Sequence, residues 1–330
     1  MNKTFNALRV KENENKQYVS TIETKSIEDL PEGDTLIKVE YSSLNFKDAL
    51  SASGNKGVTR SYPHTPGIDA AGTIEESENA SFKKGDKVIV TGFDLGMNTW
   101  GGYSEYIRVP SDWVLHLPEN LSPKEAMILG TAGMTAGLSV SELLINQIEE
   151  DGNIIISGAT GGVGLISLAI LASQGFNVTA VTGKQDMHDT LKKLGAAKII
   201  SREKLQEKAD KPLLKGEYAG AIDVAGGKTL DSILKRLKFD GIATCCGLVD
   251  SPKLETTVFP FILRGIRLIG IDSAETDIKH REKVWNMFAN EWNVQLPGEL
   301  VTEVTLEELP EYIDQILEGK IKGRVVVKIQ

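Results

Sequence analysis

The clearest hydrophobic pattern in the chain runs from Asn153 to Leu171, with the sequence N-I-I-I-S-G-A-T-G-G-V-G-L-I-S-L-A-I-L. Three β-branched residues, Ile154 to Ile156, precede a glycine-rich turn, which leads into an apolar stretch of helical length. Strands favour β-branched residues, and glycines let the backbone turn tightly and approach another group closely. The pattern therefore predicts a strand, a tight turn and the start of a helix.

Alternating strands and helices continue beyond this segment. Five or six strands separated by helices indicate a doubly wound α/β fold with a parallel sheet. We place this domain at residues 128–273. Its further predicted elements are a strand at Val178–Val181, a helix that contains Leu191 and Leu194 and ends at Gly195, a strand at 197–201, a strand within 219–227, a helix at Leu230–Leu237, a strand within 241–248 and a last strand at Arg267–Ile271.

The two ends of the chain do not show this regular alternation of strands and helices. Residues 1–127 show short strands, such as Thr35–Tyr41 and Asp86–Gly92, between Gly, Pro and Asn turns, which is typical of an irregular β domain. Ser122–Glu125 predicts a helix start, because serine and glutamate can form a capping box around a proline at the first helical position. Residues 274–330 return to helix and strand, with a helix within Asp277–Asn290, a capped helix from Thr305 to about Leu317, and a closing strand R-V-V-V-K-I.

Composition narrows the class of protein. A length of 330 residues favours two domains, and a net charge of −9 argues against nucleic acid or an anionic membrane surface as partner. The N-terminus has no apolar core of the signal-peptide type. The only two cysteines, Cys245 and Cys246, would point to opposite faces of a strand, which suits neither a disulfide framework nor a metal site. We therefore expect a cytoplasmic location.

The glycine turn predicts a dinucleotide site, because unpaired N–H groups at a helix N-terminus attract a pyrophosphate. The motif reads A-x-G-x-x-G, with Ala159 first, and such a motif also occurs in turns that bind nothing. The second strand ends at Thr182, Gly183 and Lys184, where NAD-binding units place an acid. A cation there leaves room for a 2′-phosphate, so we predict NADPH as the cofactor. The alternative is a solvated Lys184, with Asp186 close enough to weaken its charge.

Several segments together resemble a known family. The chain is similar to the medium-chain dehydrogenase/reductase superfamily, and more narrowly to its zinc-free quinone oxidoreductase and acryloyl-CoA reductase branch. The resemblance implies a GroES-like irregular β domain (1–127 and 274–330) and a Rossmann NADP-binding domain (128–273). The matching segments, which span essentially the whole chain, are S-S-L-N-F-K-D-A-L, P-G-I-D-A-A-G, G-G-Y-S-E-Y, G-T-A-G-M-T-A, S-G-A-T-G-G-V-G, T-G-K and V-F-P-F-I-L-R-G-I-R-L-I-G-I-D-S.

The resemblance also implies which residues contact the cofactor. The family usually has arginine where Lys184 stands and tyrosine where Phe46 stands. Charge is kept at the first position, but forked recognition of a phosphate is lost, and the second position loses a hydroxyl. The implied cofactor contacts are Thr160, Gly161, Gly162 and Val163 at the pyrophosphate; Thr182, Gly183, Lys184 and Arg202 on the adenosine side; and Phe46, Leu248, Ile262, Ser273 and Lys320 along the path to the nicotinamide.

Zinc ligands are missing from the expected positions, so we predict no metal. Zinc-dependent relatives use cysteine, histidine and a carboxylate. Here the corresponding segments read Asn45-Phe46-Lys47-Asp48 and Pro66-Gly67-Ile68-Asp69, and no cysteine precedes Cys245. Without a Lewis acid, a conjugated acceptor is easier to reduce than a simple carbonyl, because negative charge spreads to the oxygen after hydride addition. Hydrogen-bond donors can then stabilise the developing anion.

Asn45, Lys47, Asp48 and Arg324 are the candidates for that chemistry. Asn45 and Asp48 are predicted as catalytic residues, and Lys47 and Arg324 as substrate contacts. The resemblance places Arg324 near the substrate mouth, where it could meet an acyl-CoA phosphate or a quinone oxygen. The competing interpretation is structural: Asn-x-x-Asp is also a common helix cap, Lys47 would be solvated, and Arg324 would flank the last strand.

The sequence thus predicts an NADPH-dependent reductase of quinones or short 2-enoyl thioesters such as acryloyl-CoA. An NADPH-binding sensor without turnover is one alternative, and a zinc alcohol dehydrogenase is a disfavoured second. The resemblance further implies a homodimer joined along the strand at Arg267–Ile271, since an exposed sheet edge invites pairing.

Overall fold

The computed structural model describes residues 3–148, 152–292 and 294–330. The backbone divides into two compact units. The first consists of Met1–Thr131, Ala274–Asn290 and Pro297–Gln330, and the second of Ala132–Ser273 and Glu291–Leu296. The boundary expected after residue 127 therefore falls inside the first unit. Hydrogen bonds from Arg324 to the Ile128 carbonyl and from the Thr131 N–H to Asp69 explain this difference.

The first unit opens with strands, as the pattern of short apolar runs predicts. Two of them, β1 and β2, form an antiparallel hairpin. The elements up to residue 116 are β1 (Thr4–Glu12), β2 (Tyr18–Ser26), β3 (Thr35–Ser43), α1 (Phe46–Ala52), β4 (Asp69–Ser77), β5 (Lys87–Thr91), β6 (Tyr106–Val109) and β7 (Leu115–His116), with 3₁₀ turns at Ile27–Asp29 and Ser111–Trp113.

The next element, α2 (Pro123–Ile145), begins at the predicted capping box and breaks at Gly130. Ser122 and Glu125 exchange the expected capping hydrogen bonds. Gly130 has φ 52° and ψ −152°, which is a glycine conformation and not a helical one. By length and composition α2 could cross a membrane, but 61% of its most apolar stretch is buried inside the protein, as in a core helix.

The second unit contains a six-stranded parallel sheet in the order β10-β9-β8-β11-β12-β13. This order, in which the strand sequence reverses beside the first strand, is that of the Rossmann fold. The elements are β8 (Asn153–Ile156), α3 (Gly162–Ser173), β9 (Asn177–Val181), α4 (His188–Lys193), β10 (Ala196–Ile200), α5 (Arg202–Gln206), β11 (Tyr218–Asp223), α6 (Gly227–Leu234), β12 (Leu237–Cys245), α7 (Phe259–Arg264) and β13 (Arg267–Gly270), with a 3₁₀ turn at Gln185–Met187.

One predicted boundary in this unit is wrong. The helix expected at Leu230–Leu237 ends at Leu234, and Leu237 begins β12. Lys235 is the C-cap of the helix, and from Leu237 onward the backbone pairs with β11 as a strand. The side chains of Lys235 and Arg236 donate to the carbonyl oxygens of Ala209 and Leu205. Tertiary contacts thus override the apolar periodicity that made the helix look longer.

The chain then returns to complete the first unit. Its closing strand lies between β14, to which it is parallel, and β3, to which it is antiparallel, in a seven-stranded sheet. The buried core of this unit includes Ile37, Val39, Leu44 and Val327, each of which stabilises the fold by about 1.5–3 kcal/mol. The returning elements are α8 (Ile278–Met287), a π-helical turn at Phe288–Trp292, a 3₁₀ turn at Gly298–Leu300, β14 (Val301–Val304), α9 (Leu309–Leu317) and β15 (Arg324–Lys328).

We predict that Gly130→Ala destabilises the protein by roughly 2–4 kcal/mol. A Cβ atom at this position would lie 2.5 Å from Asp69 Oδ2 and 2.8 Å from Ser43 Oγ, and its φ is in the left-handed region. Gly298→Ala is the matched control, since nothing lies within 4 Å of its Cβ position. Urea unfolding measures both, and equal stability of the two variants would contradict the prediction.

Candidate functional site

The glycine turn of the second unit forms a bare helix N-terminus at the end of β8. Gly158 has φ 57°, and Gly161 is the N-cap of α3. A Cβ atom on Gly164 would lie 2.4 Å from the Gly158 carbonyl oxygen, so the helix can approach the strand only without a side chain there. The first-turn N–H groups of Gly162 and Val163 have no partner within the helix, which gives the turn the polarity that binds a pyrophosphate. Thr160 is buried beside them.

A buried carboxylate that the sequence reasoning missed holds this turn in place. Asp223, at the end of β11, accepts a hydrogen bond of 2.6 Å from Ser157 Oγ and one of 2.7 Å from the Gly226 N–H. Ser157 Oγ in turn accepts the Val224 N–H at 2.9 Å. Burial raises the pKa of Asp223. One feature of the sequence could have indicated Asp223: in A-G-A-I-D-V-A-G-G, an aspartate directly follows a predicted strand and precedes two glycines.

The predicted adenosine-side residues follow two adjacent parallel strands. Thr182 and Lys184 come after β9, and Arg202 comes after β10, whose Ile200 carbonyl accepts the Thr182 N–H at 3.0 Å. The Lys184 N–H donates to Thr182 Oγ1 at 3.0 Å, which bends the backbone at Gly183. Lys184 is half-buried and Arg202 is exposed. The ends of β9 and β10 thus carry a hydroxyl and two cations.

The remaining predicted cofactor contacts are distributed over both units. In the second unit, Leu248 and Ile262 are 59% and 69% exposed, and Ser273 accepts a hydrogen bond of 2.7 Å from Thr135. In the first unit, Phe46 is 42% exposed at the start of α1. Lys320 is exposed and lies 2.5 Å from Glu318. Some of these side chains therefore belong to the first unit and some to the second. Among the predicted cofactor contacts, the glycine turn and the cationic ends of β9 and β10 form a group within one unit, the second.

In the first unit, a buried polar cluster surrounds the predicted catalytic residues. We use this name for Ser43, Asn45, Asp48, Asp69, Thr131 and Arg324. Asp69 is fully buried at its centre. Its carboxylate accepts hydrogen bonds from Ser43 Oγ at 2.6 Å, Asn45 Nδ2 at 2.8 Å, the Thr131 N–H at 2.9 Å and Thr131 Oγ1 at 2.6 Å.

Asp69 explains why α2 breaks. The conformation of Gly130 starts a new helical segment at Thr131, whose N–H then points at the Asp69 carboxylate. A carboxylate at a helix N-terminus is favoured by the helix dipole. Sequence reasoning noted Asp69 only as the residue standing in a zinc-ligand segment, because nothing in its local sequence connects it to position 131.

Asp48 caps α1 from inside the cluster. Its carboxylate accepts the N–H groups of Asn45 and Ile68, each at 2.8 Å, so the capping alternative for Asn-x-x-Asp describes its contacts. Burial, and then the charge of Asp69, raise the pKa of Asp48 to about 7. Because Asp48 has no exposed surface, it cannot touch a substrate in this structure.

Asn45 is also occupied within the cluster. Its amide nitrogen donates to Asp69, with longer contacts of 3.2 Å to Ser43 Oγ and 3.3 Å to Asp48. Its oxygen faces Arg324 Nη1 at 3.5 Å. The hydrogens expected to stabilise a substrate oxyanion therefore point at carboxylates of the protein. Lys47, next to it, is half-buried on α1.

Arg324 lies inside the cluster, and not at an open mouth. Only 4% of its surface is exposed. Its Nε donates to the Ile128 carbonyl at 2.7 Å and its Nη1 to the Leu44 carbonyl at 3.4 Å, whereas its buried Nη2 has no hydrogen-bond partner. Burial lowers its pKa, against the opposing effect of Asp69 and Asp48. The expectation of a direct contact with an acyl-CoA phosphate does not agree with this placement, which follows from β15 being flanked by strands on both sides.

The two cysteines and the possible metal ligands were also located in the structure. Cys245 and Cys246 are free thiols at the end of β12. Burial and the neighbouring Asp223 raise the pKa of Cys246 to about 12, and the same two causes raise that of Cys245. Within residues 3–148, 152–292 and 294–330, no three His, Cys, Asp or Glu side chains come together as a metal-binding group.

Two family models match this chain, one in its N-terminal part and one in the part that begins within the glycine turn. Residues 31–119 match the family model described as alcohol dehydrogenase GroES-like domain, and residues 162–290 match the model described as zinc-binding dehydrogenase. The chain is 43% identical to YhfP of Bacillus subtilis, named as a quinone oxidoreductase, over the full length of both proteins. It is 40% identical to the acrylyl-CoA reductase AcuI of Ruegeria pomeroyi, over 98% of this chain and 99% of the relative.

Solved structures agree with this assignment. The yhdH oxidoreductase of Salmonella enterica, crystallised in complex with NADP, superposes with a TM-score of 0.93 at 39% identity, over 98% of this chain and all of the other. The yhfP protein of B. subtilis, crystallised with NAD bound, gives a TM-score of 0.94 at 42% identity, over 99% of this chain and all of the other. With its GroES-like and Rossmann domains and relatives that match it from end to end, the chain belongs to the medium-chain dehydrogenase/reductase superfamily.

Proposed function

We propose that this protein is an NADPH-dependent oxidoreductase that reduces a conjugated acceptor, a quinone or a 2-enoyl thioester such as acryloyl-CoA, without a metal ion. The observation that carries the proposal is the combination of the bare glycine turn with two cations, Lys184 and Arg202, on adjacent strand ends. The turn suits a pyrophosphate, and the cations suit a further phosphate on the adenosine side. Relatives at 40–43% identity that are named for the two acceptor classes support the choice of substrates.

The residues of the second unit would hold the cofactor. We assign the pyrophosphate to Gly161, Gly162 and Val163, with Thr160 beside them, because Gly161 is the N-cap of α3 and the N–H groups of Gly162 and Val163 belong to its first turn. The 2′-phosphate is assigned to Lys184 and Arg202. When bound, the nicotinamide supplies a hydride to an electron-poor carbon of the acceptor. Since one structural relative carries NAD and another NADP, the preference for NADPH rests on the two cations of this chain.

The buried polar cluster does not fit a zinc ion. The carboxylate oxygens of Asp48 and Asp69 already accept hydrogen bonds from the protein, and the cluster holds neither cysteine nor histidine. We propose instead that Asn45 and Asp48 position the start of α1. This would fix the backbone that carries Phe46, which is exposed, and Lys47, which is half-buried. Lys47 is then the candidate for stabilising negative charge on the acceptor oxygen.

We further propose a homodimer. Strand β13 is an edge strand of the six-stranded sheet, and α7 just before it, together with its N-cap Val258, exposes four apolar side chains by 43–69%: Val258, Phe259, Ile262 and Leu263. Exposed apolar groups beside an unpaired strand edge are typical of an interaction surface. A second copy of the chain is the occupant that would cover both the edge and the helix.

Turnover is the direct test of the function. Purified protein with NADPH is expected to consume the cofactor when phenanthrenequinone or acryloyl-CoA is added, as followed by NADPH absorbance, and to keep this activity after dialysis against a chelator. Tight NADPH binding without consumption on either acceptor would instead favour a sensor. Activity that chelation removes and zinc restores would favour the zinc enzyme.

Lys184→Asp is expected to reduce the preference for NADPH over NADH by roughly tenfold or more, because a charge-assisted hydrogen bond of about 1.5–3 kcal/mol is replaced by repulsion. The ratio of kcat/KM values for the two cofactors measures this. Lys192→Asp, an equal charge change at an exposed position of α4, is the control. If both variants keep the original ratio, Lys184 does not contact the cofactor.

Val258→Asp should convert the dimer to a monomer, because an aspartate in an apolar interface is left without a partner. Light scattering after gel filtration gives the mass. Phe239→Asp is the control, since Phe239 is 75% exposed outside α7. A monomeric original protein, or a dimer that persists in the α7 variant, would refute the proposed interface.

A further inference from the structure

A cavity of the second unit lies beside the crossover segment between β10 and β11, and no residue of the glycine turn lines it. It has a volume of about 490 Å³. Its walls come from α5, from the irregular stretch 207–217 and from strand residues that include Ile200 and Tyr218. A smaller pocket of about 130 Å³ shares Lys198, Glu217 and Tyr218 with it and reaches the first residues of β8 and β9, Asn153 and Asn177. Asn153, Asn177 and Tyr218 are the first residues of their strands, whereas Ile200 is the last residue of β10, so the two pockets run from the amino ends of β8, β9 and β11 to the carboxyl end of β10.

Positive charge dominates the lining of this cavity. The cationic side chains are Lys198, Lys204, Lys208, Lys211, Lys215 and Arg236, and the anionic ones are Glu207 and Glu217. Both carboxylates are already paired, Glu207 with Lys204 at 2.6 Å and Glu217 with Arg236 at 3.1 Å. The other four lysines make no ion pair in the part of the chain that the structure describes, although the protein as a whole has a net charge of −9. Asp210 belongs to the same stretch but does not line the cavity.

The irregular wall is anchored by side chains from outside it. Lys235 donates to the Ala209 carbonyl at 2.7 Å, Arg236 to the Glu207 carbonyl at 2.9 Å, and Arg264 to the Leu214 carbonyl. Leu205 and Tyr218, both at least 95% buried, form an apolar base beside the charges. Lys208, Lys211 and Lys215 lie along this wall, and Lys198 faces the same cavity from β10. Four lysines that share one cavity repel one another, and that cost is relieved when an anion binds between them.

We propose that this cavity is a second anion site, which binds a small metabolite carrying two or more phosphate charges. Lysine ammonium groups on flexible stems suit phosphate oxygens as point charges, without the forked geometry of arginine. The cavity volume lies in the range of small-molecule sites. The amide side chains of Asn153 and Asn177 in the adjoining pocket can receive hydroxyl groups of such a metabolite. Because α5, which lines the cavity through Lys204, begins at Arg202, an anion here would contact the same short helix as the proposed cofactor contact.

Calorimetric titration of the intact protein with pyrophosphate tests the proposal. The protein is first saturated with NADPH so that the glycine turn is filled, and the titration is done at low ionic strength. One pyrophosphate per chain is expected to bind, with an affinity that weakens as salt is added. The triple variant Lys198→Gln, Lys211→Gln and Lys215→Gln is expected to bind about tenfold more weakly, since it loses three of the cations that face the anion, each of which contributes modestly at an exposed site. Lys208 is left unchanged because its φ of 61° lies in the left-handed region, where a substitution can also alter the stability of the backbone conformation.

The matched control is Lys192→Gln, Lys193→Gln and Lys253→Gln, which removes the same charge from exposed positions outside the cavity. It is expected to bind pyrophosphate like the original protein. Absence of saturable heat, or equal weakening in both triple variants, would overturn the proposal and leave only general attraction between lysines and an anion. NADPH affinity and turnover are measured on the same samples, so that a failure of this site is distinguishable from a failure of the proposed oxidoreductase function.

Discussion

The carboxylate of Asp69 is the contact on which the first unit depends most. It joins the end of β3, the cap of α1 and the break in α2 through four hydrogen bonds, one of them buried and three partly buried. A buried charge is costly unless such donors surround it. Ser43, Asn45 and Thr131 supply them, and Gly130 provides the backbone conformation that lets Thr131 take part. The geometry around Asn45 and Asp48 is therefore a consequence of satisfying one carboxylate.

Much of the second unit could be predicted because its signals are local. The β-branched run, the glycines and the following apolar helix of residues 153–171 occupy one continuous segment, and the structure confirms β8, the turn and α3. The absence of an acid after β9 was equally visible. The end of α6 was not visible in the sequence, because residues near it contact distant parts of the chain: Leu237 pairs with β11, and the side chains of Lys235 and Arg236 donate to carbonyl groups some 30 residues earlier. Propensity alone cannot register such contacts.

The buried polar cluster could not be predicted for the same reason. Its members at positions 43, 69 and 324 are brought together by the pairing of β15 with β3 and of β3 with β4, and the break of α2 at Gly130 adds Thr131. Arg324 shows the difference most clearly. As the first residue of a closing strand it resembles an exposed flanking charge, yet β14 and β3 on either side bury it. The resemblance to a family indicated Asn45, Asp48 and Arg324 as candidates for catalysis or for contact with the substrate. In the structure their polar groups form hydrogen bonds with the protein itself.

The state of the two thiols has a chemical consequence under the proposed function, in which the acceptor is a quinone or an enoyl thioester. Both acceptors are electrophiles that alkylate thiolates, and the thiolate is the reactive form of cysteine. Burial and the neighbouring Asp223 raise the pKa of Cys246 to about 12 and raise the pKa of Cys245 above its ordinary value, and the chain has no other cysteine. The thiolate fraction of both residues is thereby lowered, which would slow alkylation of the protein by the proposed acceptors.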